Sequence, residues 1–115
     1  MFQLTFSNQS LCELKSLGHE KQLVLFGQLG DIDFENREGD PSFGKILRDG
    51  KVYYRIRLEE FRIYFEHRGE ILHIHYILPK HTWNDLIFRM KLPFSDEVAL
   101  EKENFFWRYL ESLCK

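Results

Sequence analysis

Cysteine and proline are scarce in this chain, long apolar runs are missing, and each shortage closes off a class of protein. Its two cysteines among 115 residues, Cys12 and Cys114, stand near opposite ends with no ligand-type neighbours at metal-site spacing. That excludes a disulfide-dense scaffold and predicts reduced thiols. No stretch of about 18 apolar residues occurs, so no membrane span is expected. The first ten residues, MFQLTFSNQS, lack the basic start and apolar run of a secretory signal, and a cytoplasmic location is expected. Gly-rich phosphate loops, dinucleotide fingerprints and the G-x-S-x-G elbow are all missing. No cofactor is expected.

Aromatic side chains are plentiful, with 11 Phe, 5 Tyr and 2 Trp making up 16% of the chain. One such ring buries roughly 150–250 Å², so a compact core is attainable in a single domain over 1–115, with a core at 1–91 and an extension at 92–115. The net charge is −2, which argues against a protein wrapped in nucleic acid, but the charge is unevenly spread. Residues 1–44 carry 3 basic and 7 acidic side chains, 45–91 carry 10 and 6, and 92–115 carry 3 and 5. Positive charge therefore gathers in the middle, where phosphate contacts would be made.

Periodicity divides the chain into elements. Residues 2–6 (FQLTF) alternate as a short strand. Ser10 and Glu13 have capping-box spacing ahead of Leu11, Leu14 and Leu17, and Gly18 is a plausible stop. A second helix over 20–29 offers Leu23, Val24, Phe26 and Leu29 to a core. Residues 30–41 read as an acidic loop. Three β-rich runs follow at 51–58 (KVYYRIRL), 61–67 (FRIYFEH) and 71–78 (ILHIHYIL), joined by short turns as an antiparallel meander. Residues 82–91 are compatible with a short helix or an extended tail, and 96–113 with a closing helix. The fold class is α+β: an N-terminal strand and helical hairpin packed on an antiparallel meander, followed by a C-terminal helix.

Alternation sorts the meander into two faces. Val52, Tyr54, Ile56, Leu58, Phe61, Ile63, Phe65, Leu72, Ile74 and Tyr76 form the expected core face. Tyr53, Arg55, Arg57, Arg62, Tyr64, Glu66, His73 and His75 form the expected solvent face, with Lys80 and His81 just beyond. A polar outer face is ordinary for a half-covered sheet, but arginine, tyrosine and histidine are not its usual makeup. Arginines hold phosphates and stabilise charge on phosphorus, tyrosines stack on bases, and histidines move protons near neutral pH. Cleavage by RNA's own 2′-hydroxyl needs these functions and no metal. His73 and His75 are two ligands on one strand face without a placed third, and no metal is expected.

The run Tyr54-Arg55-Ile56-Arg57-Leu58, two acidic residues, then Phe61-Arg62-Ile63-Tyr64-Phe65-Glu66 resembles the strand pattern of the RelE/ParE toxin superfamily, and Phe43-Gly44-Lys45-Ile46-Leu47 resembles its lead-in. The resemblance implies a cytoplasmic RelE-like translational repressor, a metal-independent endoribonuclease acting on ribosome-bound messenger RNA and held by a cognate antitoxin. It implies catalytic roles for Arg55, Arg57, Arg62 and for Lys80 or His81; the chemistry of the face adds His75 as a candidate for proton transfer and Tyr53, Tyr64, His73 and Arg89 as candidates for RNA binding. Phe88 falls near a tyrosine position of the family and has no hydroxyl. The alternative is a non-catalytic module of the same fold that binds RNA, the ribosome or a protein. Helix 96–113 extends beyond the family pattern, leaving three uses open: packing on the domain, a homodimer contact, or covering the face that RNA would occupy.

Overall fold

The computed structural model describes residues 2–33, 42–58, 60–90 and 100–113. Its centre is a five-stranded mixed sheet in the order β1-β5-β4-β3-β2. The strands are β1 (Gln3–Phe6), β2 (Phe43–Arg48), β3 (Lys51–Arg57), β4 (Phe61–Arg68) and β5 (Ile71–Pro79). β1 runs parallel to β5, and the other pairings are antiparallel. Helices α1 (Asn8–Ser16) and α2 (His19–Gly30) follow β1, α3 (Lys80–Met90) follows β5, and α4 (Asn104–Ser112) closes the described chain. The architecture is α+β, as the sequence predicts.

The sheet has one more meander strand than expected. Residues 43–48 pair with β3, from Phe43 opposite Ile56 to Arg48 opposite Lys51. Asp49 and Gly50 close that hairpin with φ of 54° and 76°. Positive φ at both central residues matches the right-handed twist of the flanking strands, and Asp-Gly is well suited to supply it. The residues at 82–90, left open between helix and tail, are helical within α3. The expected closing helix over 96–113 is interrupted: Leu100 is helical, residues 101–103 form a turn with Glu103 extended, and a separate helix runs from Asn104 to Ser112; residues 96–99 lie outside the described residues.

The first helix starts earlier than the capping-box spacing implies. Ser7 is the N-cap, its hydroxyl accepting from the Ser10 amide, and Ser10 is buried inside α1. The reason lies in the sheet. β1 ends at Phe6 opposite Ile74, so the rest of β5 lacks a partner strand on that edge. Buried backbone groups need partners, and the start of α1 supplies them. Ser7 Oγ donates to the His75 carbonyl and Ser10 Oγ to the Ile74 carbonyl at 2.8 Å. The Gln9 amide accepts from Ile77 N–H at 3.0 Å and donates to its carbonyl at 3.1 Å, as a strand would.

Apolar cores lie on both sides of the sheet. One joins Ile56, Ile63, Phe65, Leu72, Ile74 and Ile77 to Leu14, Leu25 and Leu29 of the helical pair. Leu23 and Val24, expected to face it, are exposed. The other joins Tyr53, Tyr64, Tyr76 and Leu78 to Trp83, Leu86 and Ile87 of α3, and to Phe106, Trp107 and Leu110 of α4. Tyr76 was expected beside Ile74. A register shift explains the change: Tyr64 lies opposite Tyr76, but Phe65 lies opposite Ile74. His75 is the extra residue of a bulge, which reverses the alternation beyond it.

Cys12 is disulfide-bonded, against the expectation of reduced thiols, because distance along a chain sets no distance in a fold. The other cysteine, Cys114, lies outside the described residues. Among the described residues no helix is long and apolar enough to cross a membrane.

Candidate functional site

The strand order brings the predicted residues onto one face of the meander. Arg57 lies opposite Arg62, Arg55 opposite Tyr64, and Glu66 opposite His73. That face was expected to meet solvent, and most of it does not. Tyr53, Arg55, Arg62, Tyr64 and Glu66 are all buried, because α4 and the turn before it lie across the middle of the sheet.

The seal centres on Glu101, which is 2% exposed. Its Oε1 accepts from Arg55 Nη1 at 2.8 Å, and its Oε2 accepts from the Tyr64 hydroxyl at 2.7 Å. Arg62 Nη1 stands 3.6 Å from the same Oε2, an ion pair longer than a hydrogen bond. The Glu101 carbonyl accepts from Trp107 Nε1 at 2.9 Å, so α4 fixes the backbone that carries the carboxylate. Burial, followed by the Glu101 charge, pushes the Tyr64 hydroxyl well above its ordinary value. Gly44 makes room for this arrangement: a Cβ there would lie 2.3 Å from Arg55 Nη2. Only a residue without a side chain lets the guanidinium lie across β2.

Aromatic rings complete the cover. Trp107 packs against Tyr64 at 5.0 Å and Tyr76 at 5.7 Å between centroids, with the Arg48 guanidinium 4.9 Å from its ring. The Tyr76 hydroxyl donates to Glu111 of α4 at 2.9 Å, and burial, then this carboxylate, raises it to about 12. Of the three uses open to the C-terminal segment, the observed one is packing on the domain so as to cover the polar face. Phe106, Trp107 and Leu110 are spent in that contact.

The cover leaves two ends of the face accessible. At one end, Arg57, Arg62, Lys80, Trp83 and Asn84 line a cavity of about 540 Å³ with Leu58 and Phe61. The Arg62 guanidinium carbon stands over Trp83, 3.6 Å from the ring centroid, within cation–π range. A neighbouring groove includes Lys80 and His81. Both are exposed, and the cleft is basic and open.

The other end carries the imidazoles. His75 Nε2 lies 2.6 Å from Glu66 Oε1. Arg68 donates to both oxygens of the same carboxylate, at 3.0 and 3.1 Å. His73 Nδ1 meets Thr5 Oγ1 at 2.7 Å, and the two imidazoles stand edge to face at 4.6 Å. Tyr53 packs on His75 at 4.9 Å. Burial would raise Glu66, but the hydrogen bonds from Arg68 and His75 outweigh it and hold the carboxyl below its ordinary value. Burial lowers both histidines, with the Arg68 charge adding to the effect at His73, while the bond to Glu66 partly opposes it at His75. At neutral pH the end therefore holds an ionised carboxylate beside neutral rings. A carboxylate can only accept, so His75 presents Nε2–H to it and keeps its lone pair on Nδ1.

Positions 62 and 66 lie about 13 Å apart along β4 at roughly 3.3 Å per residue. The guanidinium cleft and the imidazoles thus do not converge on one point, which corrects the expectation of a single catalytic face. Arg89 stands apart as well, exposed and paired with Asp85 at 3.1 Å on α3. Phe88 is 82% exposed on the same helix. Glu101 was missed as a site residue. Its only signal was the acidic composition of the C-terminal segment, and composition does not say which carboxylate turns inward. Among the described residues no group of three or more metal-ligand side chains occurs.

The chain is similar to a chain in the crystal structure of the archaeal RelE–RelB complex from Pyrococcus horikoshii OT3. The identity is 18% and the TM-score 0.48, over 69% of this chain and 94% of that one. That likeness assigns no residue a role. No family model matches the chain, and no curated protein matches it.

Proposed function

We propose that this chain is a RelE-like module that binds RNA through the open basic end of its polar sheet face and does not cleave it while capped. The supporting observation is the convergence of Arg57, Arg62 and Lys80 on one cavity beside Trp83. Guanidinium forks and an ammonium suit phosphate oxygens, and the Trp83 ring backs the Arg62 guanidinium. Titration of a labelled single-stranded RNA across a salt series tests the reading. Replacing Arg57 or Lys80 with Ala should weaken binding and lower the salt slope by about 0.7 per charge removed. An unchanged slope in both variants removes the cleft from the interface.

A second reading, a metal-independent endoribonuclease acting on ribosome-bound messenger RNA and restrained by an antitoxin, is favoured by the His75–Glu66 pair. There, Nδ1 of a neutral imidazole held by a carboxylate would accept a 2′-hydroxyl proton. In this reading the 2′-oxygen displaces the 5′-oxygen at phosphorus, the 5′-oxygen leaves with a proton, and Arg55, which lies opposite Tyr64 between the two ends, would have to be uncovered by release of the cap to stabilise the phosphorane. Controlled expression with growth and messenger-decay readouts decides it. Arrest relieved by Arg62→Ala supports cleavage, and normal growth with unchanged messenger lifetimes sinks it.

A further inference from the structure

Glu101 is buried against Arg55, Tyr64 and Arg62. We infer that its carboxylate occupies a latent phosphate site made by Arg55, Arg62 and Tyr64, so that the segment carrying it is a built-in competitor of RNA. This rests on the reading that the face takes RNA phosphate, and adds a regulatory element to it.

The chemistry of the contacts carries the inference. The two oxygens of Glu101 are engaged separately, Oε1 by Arg55 and Oε2 by Tyr64 with Arg62 near it. A phosphodiester also presents two acceptor oxygens, and a guanidinium with a hydroxyl is a fitting donor set for them. Fold stability alone is a weak reason for such a cluster, since a buried ion pair is often no better than apolar groups of the same shape. The site is also continuous with the open cleft, because Arg62 belongs to both: it faces Glu101 and lines the cavity with Arg57 and Lys80. A strand of RNA entering the cleft therefore meets Arg62 first and Arg55 and Tyr64 next, where the carboxylate stands.

If the closed form holds more than about nine-tenths of the molecules, removing its charge should tighten apparent affinity roughly tenfold or more. The experiment uses the full chain and a fluorescein-labelled single-stranded RNA oligonucleotide. Glu101→Gln, which keeps shape and removes charge, should bind at least about tenfold tighter than wild type. Adding Arg55→Ala to that variant should abolish the gain. In parallel, amide hydrogen exchange of 104–112 in the unaltered protein should speed up when RNA is added, a readout that needs no variant to fold. Equal affinity of Glu101→Gln and wild type, or slower or unchanged exchange of α4 with RNA bound, overturns the inference. The Arg57→Ala/Lys80→Ala double variant judges the underlying reading separately. Loss of wild-type binding in it supports the cleft. Undiminished binding with an intact Glu101→Gln gain rejects the cleft and keeps the competitor.

Discussion

On the helical-hairpin side of the sheet, Ile63, Phe65, Leu72 and Ile74 meet Leu14, Leu25 and Leu29 in an apolar cluster, with Gln9 and Ser10 bonded to β5 at its edge. On the α4 side, Arg55, Arg62 and Tyr64 meet Glu101 and Trp107, and guanidinium, hydroxyl and carboxylate are buried among rings. The α4 side is sealed at its middle only, with Arg57 exposed at one end and the imidazoles half-buried at the other. The first seal is non-directional and scales with area, whereas the second depends on each polar atom finding its partner. The same sheet thus carries one face made for stability alone and one whose chemistry exceeds what stability requires.

The sharpest way to break this contrast is to damage each side singly and then repair it. Phe65→Ala should cost about 3–5 kcal/mol through loss of burial and the cavity left behind. Glu101→Ala should cost about as much for a different reason, since it strands the Arg55 charge in the interior. Denaturant unfolding measures both. Only the second loss should be partly recoverable by removing a partner: Arg55→Met with Glu101→Leu should regain part of the lost stability, the rest being held back by Arg62 and the Tyr64 hydroxyl, which still lose their acceptor. Gly44→Ala is a smaller test of the same side. The added Cβ meets the Arg55 guanidinium, and overpacking of this kind costs about 1–3 kcal/mol. A neutral result would mean that Arg55 does not lie across β2.

The contrast also explains how far the sequence could be read. Ile63, Phe65, Leu72 and Ile74 alternate with polar residues, and their burial follows from the pattern. Tyr53, Arg55, Arg62 and Tyr64 occupy the complementary positions, and a pattern that codes polar as outside puts them in water. Their burial depends on a segment at the far end of the chain, which no local periodicity reveals. Tyr76 was misplaced by a single bulge residue, His75, whose effect on alternation has no signature in a run such as ILHIHYIL. β2 is another matter: Asp49-Gly50 between two β-rich runs is a strong hairpin signal, so this strand is legible in the sequence. The cleft residues Arg57, Arg62 and Lys80 were legible as candidates, but their separation from His73 and His75 was not.

Acid should distinguish the two sides more gently. His73 and His75 are lowered in the fold relative to their ordinary 6.5, and Glu66 relative to 4.5. Groups with depressed values stabilise the fold above their unfolded values and lose that contribution as pH falls through the folded ones. Stability should therefore decline from about pH 6.5 downward as the imidazoles take up protons, and again below 4.5 as Glu66 does. His75→Gln should flatten the first decline, whereas Phe65→Leu, on the apolar side, should lower the whole curve without changing its shape. Arg68→Ala should matter least: its side chain is more than half exposed in the pair with Glu66, and solvent screens such a pair.

A double-mutant cycle on Arg55 and Glu101, with Arg55→Ala, Glu101→Ala and the pair combined, goes straight to the polar seal. Direct contact predicts a coupling of about 1–3 kcal/mol in equilibrium unfolding. Costs that simply add, to within about 0.3–0.5 kcal/mol, would mean that the carboxylate does not rest on the arginine and that the face beneath α4 is open.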